Sequence, residues 1–160
     1  MNLLVIFSAK YLFLVSILVF LLHLTYLWKK KRTTFLSIMK FSIISLPLTL
    51  LIAKILSRFI YDPRPFVVEH IKPLIAHVAD NGFPSDHMLL TMAIASIAFV
   101  YNRKLGMALI IIAIGVGVAR VLAKVHQVED IVGSSIIAIC ISEIVYVFGK
   151  KYFNKFFQLP

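Results

Sequence analysis

Long apolar stretches broken by short polar segments run along the whole chain. Most of these stretches approach or exceed the roughly 20 residues that a helix needs to cross a bilayer, and none shows the alternation of a strand. The pattern therefore predicts an all-α integral membrane protein, a bundle of about five transmembrane helices. The predicted spans cover residues 11–28, 34–58, 86–101, 105–123 and 131–149. Residues 1–9 are also apolar, and we expect these first turns to lie in the membrane interface.

The composition excludes an ordinary soluble domain. Of the 160 residues, 61% are hydrophobic, which is more apolar surface than a soluble chain of this length can bury. We expect one transmembrane domain over residues 1–160. Cys140 is the only cysteine, so no internal disulfide can form. The N-terminal stretch lacks a charged segment and a small-residue cleavage site, and we interpret it as a retained membrane segment rather than a signal peptide.

Basic residues give the chain a formal net charge of +10, and they are concentrated in three runs. The runs are Lys29 to Arg32, Arg103 with Lys104, and Lys150 and Lys151 with Lys155. Each run borders an apolar stretch, as membrane-flanking residues do, so we expect no nucleic-acid partner. Five spans place all three runs on one side of the membrane, which the positive-inside rule makes the cytoplasmic side.

Three polar clusters interrupt the apolar pattern at the opposite side of the membrane. They are Arg64-Pro65, Phe83-Pro84-Ser85-Asp86-His87, and Arg120 with His126 and Asp130. Charged side chains are costly near a bilayer and are rarely kept there without a function. The topology rests on basic residues outside these clusters, yet it gathers the clusters on one face. We therefore expect them to form one site that faces the periplasm or the cell exterior.

Two arginines and a helix start in these clusters favour an anion site. Ser85 follows a proline and precedes an apolar run, which predicts a helix N-cap. The first amides of that helix would then point outward at the positive end of its dipole, where phosphate binds readily. Arg64 and Arg120 can each hold phosphate oxygens with a planar fork. The alternative is that both arginines only reach out to lipid headgroups.

Two histidines supply candidate groups for catalysis. His126 and Asp130 are four residues apart, one helical turn if the last span begins early. The carboxylate would hold one ring nitrogen protonated and leave the other free to attack phosphorus. His87 would protonate the leaving oxygen as a general acid. The alternative is a pair of ordinary interfacial histidines.

Taken together, the three clusters resemble the signature of the type 2 phosphatidic acid phosphatase superfamily. That signature is a lysine followed after six residues by Arg-Pro, then Pro-Ser-Gly-His, then Ser-Arg, five residues, His, three residues and Asp. The resemblance covers residues of about 54 to 130. The chain departs from the signature at three positions. Ser57 replaces the lysine, Asp86 the glycine and Ala119 the serine.

These departures bear on how a phosphate would be held. Lys54 lies one turn before Ser57 on the same helical face, and its long stem is the candidate replacement for the family lysine. The Asp86 carboxylate suits the first turn of a helix but repels a nearby phosphate. We therefore expect Asp86 to point away from the reacting phosphate or to contact a group beyond it.

The resemblance also implies a substrate class. The Pro-Ser-Asp-His motif, with Tyr61 to Phe66 as the first motif, resembles the undecaprenyl-diphosphate phosphatase branch. That branch implies hydrolysis of a polyprenyl diphosphate to the monophosphate through a phosphohistidine, in a bacterial cytoplasmic membrane. It also implies recycling of the lipid carrier of peptidoglycan synthesis and bacitracin resistance. No metal or cofactor is required, because arginines and helix amides supply the positive charge.

The resemblance assigns a role to each matched residue. The terminal phosphate would be held by Lys54, Arg64, Ser85 and Arg120. His126 would attack it, oriented by Asp130, and His87 would protonate the leaving lipid phosphate.

Other interpretations stay open. The lipid could instead be phosphatidic acid, phosphatidylglycerophosphate or lipid A phosphate. A non-enzymatic alternative is a small transporter or scaffold, although a transporter would place its charges near the bilayer midplane. We expect residues 66–83 to form a short lid over the headgroup, with Glu69 and Asp80 in solvent. His70 and His77 lack a third ligand, so we expect no metal site there.

Overall fold

The computed structural model describes residues 2–154 and contains six helices. They are α1 (Asn2–Lys30), α2 (Arg32–Leu56), α3 (Pro65–Val68), α4 (Asp86–Tyr101), α5 (Arg103–Leu122) and α6 (Val128–Tyr152). Four of them, α1, α2, α5 and α6, are long and apolar enough to cross a membrane, and α4 is a shorter apolar helix. The predicted all-α, multi-pass membrane bundle is confirmed.

The helix bounds lie close to the predicted spans, with one extension. The apolar start of the chain belongs to α1, a single helix of 29 residues. At 1.5 Å per residue α1 is about 44 Å long, so it extends beyond the roughly 30 Å hydrocarbon core. The 16 residues of α4 rise only about 24 Å and cannot reach both surfaces of that core.

The short helix α4 forms the centre of the bundle. Its residues are apolar on nearly every side, which is the pattern of a helix that is buried all round, and most of them are buried. Helix α4 packs against α1, α2, α5 and α6, while α1 also contacts α2 and α5, and α2 contacts α6. The four long helices therefore surround α4 in the order α5, α1, α2, α6.

Small and weakly polar residues bring these helices together. Gly106 of α5 lies so close to Phe99 of α4 that a Cβ atom there would overlap the Phe99 backbone. Ser45 of α2 and Ser142 of α6 share a hydrogen bond with an oxygen separation of 3.4 Å. Close approach through small residues and hydroxyl contacts between helices are typical of packing in a bilayer, where burial of apolar surface drives little association.

The outside of the bundle is apolar over most of its height. Exposed large side chains occur on every long helix, among them Leu18, Leu51, Ile111 and Ile136. A lipid environment accommodates such a surface, whereas water does not. The basic runs lie together at the end where α1 meets α2, α4 meets α5, and α6 finishes. Lys155, predicted as part of the third run, lies outside the described residues.

The polar clusters lie together at the other end of the bundle. That end holds the last turn of α2, the long connection through α3, the start of α4, and the turn between α5 and α6. The sequence-derived arrangement, with basic runs at one end and polar clusters at the other, is confirmed by the order of the helices.

Candidate active site

A buried histidine and aspartate form the centre of the polar end. His126 lies in the turn between α5 and α6, and Asp130 lies in the first turn of α6. Asp130 Oδ2 is 3.1 Å from His126 Nδ1 and accepts a hydrogen bond of 3.0 Å from the backbone N–H of Gln127. One carboxylate thus caps the start of α6 and holds the histidine ring. The predicted pairing of His126 and Asp130 is present.

The free side of the His126 ring faces two arginines. His126 Nε2 lies 3.3 Å from Arg64 Nη1 and 3.4 Å from Arg120 Nη2. A guanidinium can only donate hydrogen bonds, so Nε2 is the acceptor and the ring proton sits on Nδ1, donated to Asp130. This tautomer directs the Nε2 lone pair into the space between the two arginines.

The charge state of His126 follows from its surroundings. Burial lowers the pKa of His126, and the hydrogen bond to Asp130 raises it; the charges of Arg120 and Arg64 lower it further. The balance keeps the pKa below its ordinary value of about 6.5, so the ring is neutral near pH 7. A neutral imidazole is the form that can act as a nucleophile.

Arg64 is held by acceptors from three places around the site. Its Nε donates to Asp80 Oδ1 at 2.7 Å, its Nη1 to the Val125 carbonyl at 2.7 Å, and its Nη2 to the Asn81 carbonyl at 3.2 Å. The Asp80 side chain is 59% exposed, in line with the expectation that it lies in solvent, and it also pairs with Arg64. The hydrogen bond from Arg64 is also the main cause that lowers the pKa of the Asp80 carboxyl.

Arg120 projects from the last turn of α5 and is almost fully buried. Its Nη1 donates to the Ala9 carbonyl of α1 at 3.3 Å, and its Nη2 lies 3.1 Å from His77 Nε2. Its Nε has no hydrogen-bond partner among the described residues. The ring of His77 lies 6.1 Å from the ring of His126, centroid to centroid. A loop histidine thus joins the site without belonging to any of the three sequence clusters.

Ser85 occupies the N-cap position of α4, as predicted, but its hydroxyl does not cap the helix. Its backbone N–H donates to Ser134 Oγ at 2.8 Å, and Ser134 Oγ donates to the Asp130 carbonyl at 2.6 Å. This chain ties the start of α4 to α6. The Ser85 hydroxyl is fully buried and has no partner within residues 2–154, so its hydrogen-bonding capacity is unused there.

His87 lies in the first turn of α4, next to Ser85. Its ring packs edge-on against Phe13 of α1, with the ring centroids 4.5 Å apart, and it lies within electrostatic range of Arg120 and His126. No hydrogen bond to the ring is present in the described part of the chain. His87 therefore keeps both ring nitrogens for a substrate or water.

Lys54 and Asp86 lie beside Arg64 in a cavity that His126 does not line. This cavity of about 440 Å³ lies between α2 and α4, and Asp80 also lines it. Lys54 and Asp86 are exposed. The structure brings both residues to Arg64 and places neither in hydrogen-bond contact with His126.

Two side chains fix the loop that carries Arg64. Asn81 Oδ1 accepts from the Asp62 N–H at 2.9 Å, and Gln127 Nε2 donates to the Asp62 carboxylate at 2.9 Å. Gly82 lies against the N-terminal end of α6, since a Cβ atom at this position would be 2.8 Å from Asp130 Oδ2. The loop and the start of α6 are therefore built against each other.

Five residues of this network are missing from the sequence-derived site. They are His77, Asp80, Asn81, Gln127 and Ser134. Four lie in loops or at a helix boundary, where no periodicity signals a partner. Ser134 follows Asp130 by one helical turn, and that spacing is a signal that the sequence does carry. Within residues 2–154 there is no group of three or more histidine, cysteine or acidic side chains able to hold a metal ion.

Comparisons with known proteins agree with this geometry. A family model described as the PAP2 superfamily matches residues 38–153. The chain is 37% identical over 89 residues to "Undecaprenyl-diphosphatase BcrC" of Bacillus subtilis (strain 168), covering 56% of this chain and 46% of that protein. It is 26% identical over 119 residues to "Bacitracin transport permease protein BcrC" of Bacillus licheniformis, covering 74% of this chain and 59% of that protein. The matched regions thus span about half the length of these curated relatives.

One solved structure has the same fold. The crystal structure of Aquifex aeolicus LpxE superposes with a TM-score of 0.69 at 23% sequence identity, covering 89% of this chain and 85% of that one. At this identity the likeness establishes the arrangement of helices and nothing about the substrate.

Proposed function

The chain belongs to the PAP2 superfamily, as its motifs indicated, and on that premise we propose that it is a membrane phosphatase acting on a polyprenyl diphosphate. The reaction would release inorganic phosphate and leave the lipid monophosphate. The observation that carries the proposal is the position of His126 Nε2, whose lone pair faces Arg64 and Arg120 at 3.3 and 3.4 Å. A phosphate bound between the two guanidinium groups would present its phosphorus to that nitrogen.

The phosphate site would consist of donors already directed at that space. Arg64 and Arg120 offer charged N–H groups, and the α4 amides lie at the positive end of a helix. The buried Ser85 hydroxyl has no other partner in the described part of the chain. Lys54 would approach from the cavity beside Arg64. These donors would stabilise the charge that builds up on the phosphate oxygens in the transition state.

The reaction would proceed in two displacements. His126 Nε2 attacks the terminal phosphorus, and the bond from phosphorus to the bridging oxygen breaks. His87 gives a proton to the departing lipid phosphate, while Asp130 balances the charge on the His126 ring. Water, deprotonated by His87, then attacks phosphorus and breaks the N–P bond. Inorganic phosphate leaves, and both histidines return to their starting states.

A lipid substrate fits the surroundings of the site. The cavity with Lys54 and Arg64 ends toward the membrane at Leu50 and Leu89. A second groove of about 420 Å³, lined almost entirely by apolar side chains, begins one turn along α2 at Pro47, borders Leu90 of α4, and runs between α1 and α2. A prenyl tail could lie in this groove while the diphosphate reaches the arginines, so the lipid need not leave the bilayer. The name of the Bacillus subtilis relative supports undecaprenyl as the tail.

The cellular setting is part of the same proposal. The basic runs would lie at the cytoplasmic surface of a bacterial inner membrane, and the site would face the periplasm or cell exterior. Release of undecaprenyl phosphate there would recycle the lipid carrier of peptidoglycan synthesis. Resistance to bacitracin would follow, and the name of the Bacillus licheniformis relative also refers to bacitracin.

Phosphate release by purified protein in detergent tests the substrate. The panel comprises undecaprenyl diphosphate, its monophosphate, phosphatidic acid, phosphatidylglycerophosphate and lipid A phosphate, with the His126→Ala variant as a control. We expect the highest kcat/KM on the prenyl diphosphate and none for the variant. A preference for one of the other lipids would assign that lipid instead, and equal release by the variant would remove His126 from the reaction.

A further inference from the structure

The connection between α3 and α4 carries two acceptors that occupy the arginines of the site. We propose that His77 and Asp80 lower the phosphate affinity of the free protein, His77 by accepting from Arg120 Nη2 and Asp80 by pairing its charge with Arg64, and that both contacts loosen when phosphate binds. The proposal rests on the proposed function in one respect, that the two arginines bind phosphate. It makes His77 and Asp80 determinants of phosphate affinity that no sequence motif contains.

The contact at Arg120 is a direct competition for one group. Arg120 Nη2 lies 3.1 Å from His77 Nε2 and 3.4 Å from His126 Nε2, and the arginine is the donor to both. His77 Nδ1 lies 3.3 Å from the Val78 carbonyl, so the ring proton sits there and Nε2 accepts. Both Nη2 hydrogens therefore point at histidine nitrogens, and a phosphate oxygen that binds Nη2 must take one of them.

The contact at Arg64 pairs its charge with a carboxylate at Nε, while Nη1 of the same guanidinium faces His126. Asp80 Oδ1 accepts from Arg64 Nε at 2.7 Å. The Arg64 side chain is 6% exposed and the Asp80 side chain 59%, so the carboxylate reaches the buried arginine from solvent. Water can replace Arg64 around an exposed carboxylate at little cost, and a phosphate gives the arginine a stronger, charge-assisted partner.

The segment between these two residues is suited to move. Ile75 is buried, and the neighbouring Leu74 N–H donates to the Ala123 carbonyl at 3.1 Å. Asn81 is fixed at the other end by hydrogen bonds to the Ser57 and Ile60 carbonyls. Between these anchors residues 76–80 are largely exposed and contain no helix. The 76–80 segment can therefore shift outward while the loop on either side stays in place.

Binding of inorganic phosphate to the purified protein in detergent tests the displacement. In the His77→Ala variant we expect the Kd, measured by calorimetry near pH 7.5, to fall about fivefold, the change that one competing hydrogen bond would cause. The matched control is His70→Asn, at an exposed histidine of the same loop whose backbone has φ 53, a conformation that asparagine tolerates. Its Kd should equal that of the wild type.

A second variant and a second readout guard against a folding defect. Asp80→Asn keeps the shape and one acceptor oxygen but removes the charge, and it should also tighten phosphate binding. A cysteine at Ala79, with Cys140→Ser as background, should react faster with a water-soluble maleimide when phosphate is present. An unchanged or higher Kd in both His77→Ala and Asp80→Asn would overturn the proposal. A higher Kd is the result expected if these two side chains instead position the arginines for phosphate.

The two proposals fail in different measurements. If the wild type binds phosphate but hydrolyses no prenyl diphosphate, the substrate is wrong and the displacement result still stands. If the wild type binds no phosphate, the arginines do not form a phosphate site, and the displacement proposal is overturned with it.

Discussion

Replacement of Asp130 by asparagine tests how the His126 ring is prepared for attack. The Asp130 side chain is fully buried, and its Oδ2 holds both His126 Nδ1 and the Gln127 N–H. An asparagine oxygen can still accept from Gln127 and cap α6. Its amide would then donate toward His126 Nδ1, which shifts the ring proton to Nε2 and removes the lone pair between the arginines. We expect the variant to fold and to lose activity.

The expected loss of activity can be worked out from the hydrogen bond between residue 130 and the His126 ring, which is no longer ionic in the variant. A hydrogen bond to a charged group contributes about 1.5–3 kcal/mol, and about 1.4 kcal/mol corresponds to tenfold in rate. Loss of the ionic hydrogen bond alone therefore predicts a fall in kcat/KM of roughly 10- to 150-fold. The unfavourable tautomer adds to that, so this range is a lower bound.

The assay compares kcat/KM for Asp130→Asn with that of Glu129→Gln. Glu129 lies in the same turn of α6, carries the same charge and is exposed, so its replacement controls for the altered charge at the helix start. Thermal unfolding in detergent checks that both variants keep the fold. Activity of Asp130→Asn within about threefold of the control, less than the lost ionic hydrogen bond alone would cause, would refute the role assigned to the carboxylate.

Three further predictions follow from the same geometry. Because burial and the arginines lower the pKa of His126, protonation of its ring should reduce kcat/KM only below about pH 6.5; an acid limb of the pH profile with its midpoint above 6.5 would contradict this. Gly82→Ala should reduce kcat at least tenfold, since its Cβ would lie 2.8 Å from Asp130 Oδ2. A kcat equal to that of the wild type would contradict this and show that the loop moves to accommodate the methyl group. Single cysteines at exposed positions within 66–83 should react with impermeant reagents in intact cells and those at 102–104 should not; the reverse pattern would invert the topology.

The transmembrane helices were predictable because each is one continuous apolar stretch. The predicted spans 34–58 and 105–123 differ from α2 and α5 by only one or two residues at each end. The last span starts at Val128 rather than at the predicted 131, because Asp130 caps the helix through the Gln127 N–H. The pairing of His126 with Asp130 was predicted on the condition that the last span begins early, and this condition is met.

The topology was sufficient to predict that the site residues gather at one end of the bundle. It did not predict the contacts made by the connection between α2 and α4. Charge bias outside the site was sufficient to place Arg64, Ser85 and Arg120 at one end of the bundle. The partners of these residues depend on the fold of the 57–85 connection, which has no periodicity to interpret. The sequence therefore predicted Asp80 in solvent but not its pairing with Arg64, and it offered His77 only as half of an incomplete metal site, although both residues hydrogen-bond to the arginines.

The fold also clarifies the departures from the family signature. Ser57 donates to the Lys54 carbonyl at 2.9 Å, so its hydroxyl is used within its own helix and cannot replace a lysine. Lys54 lies on the cavity beside Arg64, within the surroundings where the substitute cation was expected. Asp86 lines the same cavity, and its role toward a second phosphate stays a prediction.

Trapping of a phosphorylated enzyme tests the central claim most directly. Protein mixed with prenyl diphosphate labelled in its terminal phosphate, and quenched in alkali within milliseconds, should carry acid-labile, alkali-stable label on the peptide that contains His126. The label should be absent from His126→Ala and should accumulate in His87→Ala when the substrate has a leaving group that needs no proton. Label on another residue, or rapid turnover with no labelled protein in either His87→Ala or the wild type, would contradict a phosphohistidine at His126.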